Sequence, residues 1–153
     1  MLPARAEPLV VFELDEQRFA LPLRVVERVV RAVAVTPFPA APRGVLGLVN
    51  VAGTVAPVFD FRRRFAMPAR EVRARDHFIL ARSKGRLVAV LADSVQTVTV
   101  DAPPPLDPED LVAGQHACEG VIKLAGDLVF IHDLDRFLSA EEFAAVDGEL
   151  AAR

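Results

Sequence analysis

The strongest constraint in this chain is an internal repeat. Val49-Asn50-Val51-Ala52-Gly53-Thr54-Val55-Ala56-Pro57-Val58-Phe59-Asp60-Phe61 aligns without a gap on Ile122-Lys123-Leu124-Ala125-Gly126-Asp127-Leu128-Val129-Phe130-Ile131-His132-Asp133-Leu134, 73 residues later (122 minus 49). Ala, Gly and Asp recur identically, and aliphatic or aromatic residues pair at Val49/Ile122, Val51/Leu124, Val55/Leu128, Val58/Ile131 and Phe61/Leu134. Alternating apolar residues on either side of an Ala-Gly pair predict strand, tight turn, strand, because glycine supplies the positive φ a sharp turn needs. Two copies predict two similar small β modules with a surface between them.

The rest of the chain repeats in the same order. Leu9 to Leu14 and Arg18 to Leu23 read as strands around a turn at Asp15-Glu16-Gln17. His77 to Arg82 and Arg86 to Leu91 read likewise around Ser83-Lys84-Gly85. Val25, Val26, Val29 and Val30 fall on one face of a short helix, although β-branched residues have low helix propensity. Asp93 to Val100 takes the same slot in the second half. Pro37, Pro39 and Pro42 keep the first linker extended, and Asp101 to Pro105 forms a stiff spacer in the second. Asp107-Pro108-Glu109-Asp110 reads as a helix start, and Ser139-Ala140-Glu141-Glu142 as a capping box. Phe143, Val146 and Leu150 then give a C-terminal helix an apolar stripe that must pack on the β modules. Five or so short strands per unit is the size of a small barrel.

Composition narrows the function. The chain has 153 residues, 52% of them hydrophobic, which suits one domain or two subdomains sharing a core. A net charge of −3 gives no global attraction for nucleic acid. No apolar run reaches the roughly 20 residues that span a bilayer, and residues 1–8 lack a signal-peptide core. The single Cys118 excludes an internal disulfide. A soluble cytoplasmic protein, without nucleic acid or membrane insertion, is the expectation.

Catalytic patterns are missing. His116 and Cys118 are the nearest approach to a metal pair, and two ligands without a second pair do not make a site. His132 stands where the first copy has Phe59, which predicts a strand residue rather than a base. Thr36, Thr54, Ser83 and Ser94 are among the hydroxyls near strands, and none lies in a G-x-S-x-G elbow. There is no P-loop and no G-x-G-x-x-G. Asp60 and Asp133 each end a hairpin and are expected to cap a turn. Arg62-Arg63-Arg64-Phe65, with Arg70, Arg73 and Arg75, reads as a solvated basic linker or a strip for acidic groups. The chain is expected to be no enzyme, with no metal and no cofactor.

The segment from Pro42 to Phe61 resembles the signature of CheW-like chemotaxis coupling proteins, with Gly47, Asn50, Gly53, Pro57 and Asp60 in register. Asp93 and Val95 fit a second family element, and the resemblance runs from Val10 to about Phe143. It implies a mainly β fold of two intertwined, five-stranded SH3-like barrels with few short helices. The implied domain spans 9–143, with subdomains meeting near 65–76 and 144–153 as a helical tail. It also implies a non-catalytic scaffold coupling the cytoplasmic tips of chemoreceptors to the regulatory domain of a CheA-type histidine kinase, at the membrane through receptor arrays. Receptor helices are expected in an apolar groove between the modules, and the kinase at their outer ends. The partner-binding residues so implied are Val25, Arg28, Val29, Asn50, Ala52, Gly53, Leu87 and Val98. Two positions depart from the family: Ala52 where it usually has Arg, and Arg28 where members often carry Glu. An adaptor of an auxiliary pathway, binding receptor or kinase without activating it, is the alternative.

Overall fold

The computed structural model describes residues 6–37, 41–42, 44–101, 118–138 and 144–148. It contains ten strands in two five-stranded sheets, among these residues. The strands are β1 (Ala6–Leu14), β2 (Gln17–Pro22), β3 (Val26–Arg31), β4 (Val45–Val51), β5 (Thr54–Phe59), β6 (His77–Ser83), β7 (Arg86–Ala92), β8 (Ser94–Asp101), β9 (Cys118–Leu124) and β10 (Asp127–His132). Two one-turn helices, α1 (Phe61–Arg64) and α2 (Leu134–Phe137), follow the two repeated hairpins.

The strand order shows how the repeats interlock. One sheet runs β8-β1-β2-β10-β9 and the other β3-β6-β7-β5-β4. The hairpin that opens each half therefore joins the last three strands of the other half. The expected boundary near 65–76 does not separate the sheets, because that stretch links β5 to β6 within one of them. In each sheet one parallel contact closes the exchange: Ile131 against Ala20, and Val58-Phe59 against Ala89-Val90.

The helix expected over Val25 to Arg31 is a strand instead. A 3-10 turn over Leu23–Val25 leads straight into β3, which pairs antiparallel with β6. Valines stiff at χ1 fit a pleated surface better than a helix, and β6 offers a partner edge. The matching slot after Asp93 is likewise a strand, β8, paired with β1 over eight residues. The helix start at Asp107 and the capping box at Ser139, with Phe143 and Leu150, lie outside the described residues. Residues 144–148 are helical, and Val146 is buried in the core shared by the two sheets.

The central strands β1, β2, β6 and β7 bury residues on both faces. Val10, Phe12 and Leu14 point into the layer between the sheets with Phe59, Ile79 and Val90, while Leu9 and Val11 point into a second core with Val129 and Ile131. Val58, Phe78 and Leu91 fill the matching core of the other sheet. Such two-sided burial explains the continuous apolar runs in the sequence. The second sheet also curls on itself: the chain after β3 crosses to the opposite edge, where Thr36 pairs with Leu48. Gly47 permits that approach, since a Cβ there would sit 2.3 Å from the Thr36 carbonyl oxygen.

Candidate functional site

Both Ala-Gly turns are built alike. Ala52 and Gly53 have φ of +51° and +87°, and Ala125 and Gly126 have +52° and +87°. Two successive positive φ values joining paired strands define a type I′ hairpin, whose twist matches the strands. Asn50 Oδ1 accepts a 2.9 Å hydrogen bond from the Gly53 amide and holds the first turn. Asn50, Ala52 and Gly53 are all exposed. After each hairpin an aspartate caps the short helix: Asp60 accepts from the Arg62 amide at 2.9 Å and Asp133 from the Asp135 amide at 3.0 Å. Burial raises the Asp60 carboxyl pKa against the opposing effect of that amide.

Beside the first hairpin lies a groove of about 290 Å³. Thr54, Val55 and Pro57 of β5 form one wall, Leu87 of β7 another, and Val146 of the C-terminal helical turn closes the end. Val55 is 44% exposed although it belongs to a strand. Arg86 and Asp147 form an ion pair across the rim. The groove combines an apolar floor with a charged lip, and a helix with an apolar stripe fits such a shape.

The expected partner residues separate in space. Leu87 lines this groove. Val25 lines a smaller cleft of about 170 Å³ between the sheets, with Arg24, Arg82, Glu119 and Asp135 around it. Arg24 grips Glu119 with two 2.9 Å contacts, and Arg82 meets Glu27 at 2.6 Å. Val29 is 38% exposed on β3, and Arg28 is exposed beside it. Val98, on β8, packs against the core of its own sheet, with Leu9 and Val11. Among the described residues β3 is an edge strand that pairs only with β6, and Arg28 and Val29 lie on it.

The basic run is not a solvated linker throughout. Arg62 has no exposed surface and reaches Asp15 and Asp93, at 3.1 Å and 2.6 Å. Arg70 pairs with Asp76 at 2.9 Å and with Asp93. Burial would lower the Arg62 pKa, but hydrogen bonds to the two carboxylates outweigh it and raise it. Burial likewise works to raise Asp93, yet bonds from Arg62, the Asp15 amide and Arg70 hold it below the usual carboxylate value. Sequence reading missed this network because its members lie 31 and 47 residues apart. The Val146 wall and the Arg86–Asp147 pair were equally hidden.

His132 and Cys118 meet inside the protein. The thiol sulfur lies 3.7 Å from His132 Nδ1, and both residues are buried. Phe19, Phe61, Phe65 and Phe137 surround the imidazole at 5.5–5.7 Å. Burial lowers the His132 pKa to about 4 and raises Cys118 to about 11. A neutral imidazole beside a protonated thiol is packing, not an activated nucleophile. Among the described residues no group of three or more His, Cys, Asp or Glu side chains is placed to hold a metal.

Interlocked β sheets with exposed tight turns, an edge strand and a shallow groove make a module that presents surfaces. Comparison with known proteins makes the class specific: residues 8–142 match the CheW-like domain, and the chain belongs to that family. It is 30% identical over 137 residues to the chemotaxis protein CheW of Rhizobium meliloti (strain 1021), covering 88% of each chain. It is 28% identical over 139 residues to the chemotaxis protein CheW of Thermotoga maritima, covering 90% of this chain and 89% of that one. The crystal structure of the scaffolding protein TtCheW from Thermoanaerobacter tengcongensis has the same fold, with a TM-score of 0.77 and 24% identity over 90% of this chain and 91% of that one.

Proposed function

We infer that this protein is a coupling adaptor of a chemosensory array, a scaffold without chemistry of its own that joins chemoreceptors to a CheA-type histidine kinase. The observation that carries the reading is the CheW-like match across nearly the whole chain, together with curated chemotaxis relatives of the same length. The Val55–Leu87–Val146 groove suits an apolar helix of the receptor tip. The edge of β3, with Arg28 and Val29, and the turn at Asn50, Ala52 and Gly53 suit the regulatory domain of the kinase. Val25, in the cleft beside Arg24 and Glu119, and Val98, on β8 of the other sheet, are further candidates for partner contact. The functional unit is residues 9–143 with the helical end that follows, since both sheets draw strands from both halves. No helix among the described residues is long and apolar enough to cross a membrane, so attachment to the membrane runs through the receptors.

A second reading follows from Arg28 and Ala52. Arg presents a fork of donors and a positive charge where relatives often carry a carboxylate, while Ala offers no donor at the turn. An adaptor so changed binds one partner without activating the kinase. Size-exclusion chromatography with a receptor cytoplasmic fragment and the kinase regulatory domain tests the adaptor reading. The expected result is a ternary complex in which Leu87→Glu loses only the receptor and Arg28→Glu weakens only the kinase. Binding to neither partner by the folded protein would contradict it.

A further inference from the structure

A second groove on the same sheet shares no residue with the first. It forms where the chain crosses from the β3 edge to the β4 edge. The Ala32 amide donates to the Asp76 carbonyl at 2.9 Å, and Thr36 and Leu48 exchange two backbone hydrogen bonds of 2.8 Å. Between these anchors the backbone groups of 33–35 form no hydrogen bond among the described residues. Three consecutive residues with free amides and carbonyls are a template for an added strand. Val33 is 46% exposed at this place.

The groove beside this segment holds about 830 Å³. Val35, Leu46 and Val72 give it an apolar surface, and the stretch 69–74 forms the facing wall. Four charged side chains line it: Arg63, Arg70, Arg73 and Glu71. Arg70 is committed to Asp76 and Asp93, and Arg73 leans on Asp76 at 3.7 Å while staying 41% exposed. Arg63 is exposed and makes no ion pair among the described residues. The exposed guanidiniums of Arg63 and Arg73 therefore offer positive charge at the rim, beside the single carboxylate of Glu71.

We propose that this groove takes an extended acidic segment of a partner protein, paired as a short strand with residues 33–35 and placing carboxylates at Arg63 and Arg73. Main-chain hydrogen bonds supply the register, and the two guanidiniums select for acids through charge-assisted contacts. The surface is additional to those of the coupling reading and does not depend on it.

Titration of the 15N-labelled full chain with the blocked peptide Glu-Val-Asp-Val-Glu tests the proposal. The expected result is saturable amide shifts confined to 32–37 and 69–74, with slower amide exchange at 33–35. Arg63→Glu combined with Arg73→Glu should weaken binding by about tenfold or more. Ala34→Pro, which removes one amide donor, should weaken it independently of charge. The proposal is overturned by no saturable shift at the groove, by equal binding of Lys-Val-Lys-Val-Lys, or by full affinity in both variants. Concentration-dependent shifts of the same residues without peptide would assign the groove to a second copy and overturn it too.

Discussion

The guanidinium of Arg62, fully buried at the start of α1, reaches the Asp15 carboxylate in the β1–β2 turn at 3.1 Å. α1 follows a strand of one sheet and the turn belongs to the other, so the contact crosses the seam between them. The repeat places Asp135 where the first copy has Arg62, 73 residues on, and Asp135 accepts from the Ser83 hydroxyl at 3.1 Å and the Lys84 amide at 2.8 Å in the β6–β7 turn. Each half's short helix thus latches onto the opening turn of its own half, across the seam between the sheets and with opposite charge.

Removing one side of the first latch should be costly. Arg62→Ala leaves a void and strips Asp93 of its buried partner, so unfolding free energy should fall by about 3 kcal/mol. Urea denaturation of the two proteins measures this. Arg62→Lys should recover only part of the loss, because an ammonium cannot serve both carboxylates with the fork of an Arg.

Stability should decline on acidification in two stages. His132 titrates near 6.5 when unfolded and at about 4 when folded, so its contribution is present above pH 6.5 and is lost between there and pH 4. That stage amounts to about 3 kcal/mol. Asp76 and Asp93 are held below 3.8, so their contribution is present above that value and is lost as pH falls through their folded pKa values. Asp60, raised by burial, has the opposite sign and offsets part of the second stage. Denaturation between pH 4 and 7 should show the first stage in the wild type and not in His132→Phe.

The two Ala-Gly turns carry strain that substitution can relieve. Ala52 and Ala125 sit in the left-handed region, where an L side chain costs about 1 kcal/mol and Asn or Gly costs less. Ala52→Asn and Ala125→Asn should each raise stability by up to about 1 kcal/mol. Thermal unfolding checks both, and the gains should add because the turns lie on different sheets.

Gly47 should resist any side chain. With φ of +154° and the Thr36 carbonyl in the way, Gly47→Ala must push apart the Thr36–Leu48 bridge. The expected loss is roughly 2 kcal/mol or more. Faster amide exchange at Thr36 and Leu48 would locate the damage.

Local signals made the hairpins legible. Ala52-Gly53 and Ala125-Gly126 turn where alternation predicts, and Asp60 and Asp133 cap as expected. β3 was misread because valines at 25, 26, 29 and 30 satisfy a helical face as well as a strand, and the choice falls to the partner strand β6. The exchange of hairpins between halves has no local signature, since β1 pairs with β8 rather than with β3. Of the expected partner residues, Leu87 reached a groove, whereas the walls Val55 and Val146 meet only through the fold. The burial of Arg62 was invisible within a run of three arginines.

The coupling role is tested most directly by phosphorylation in a reconstituted array of receptor, CheA-type kinase and this protein. The account predicts that kinase autophosphorylation rises on adding the wild-type protein and fails to rise with Leu87→Glu, whose circular dichroism stays native. No stimulation by wild-type protein that binds both partners, or full stimulation by Leu87→Glu, would contradict it.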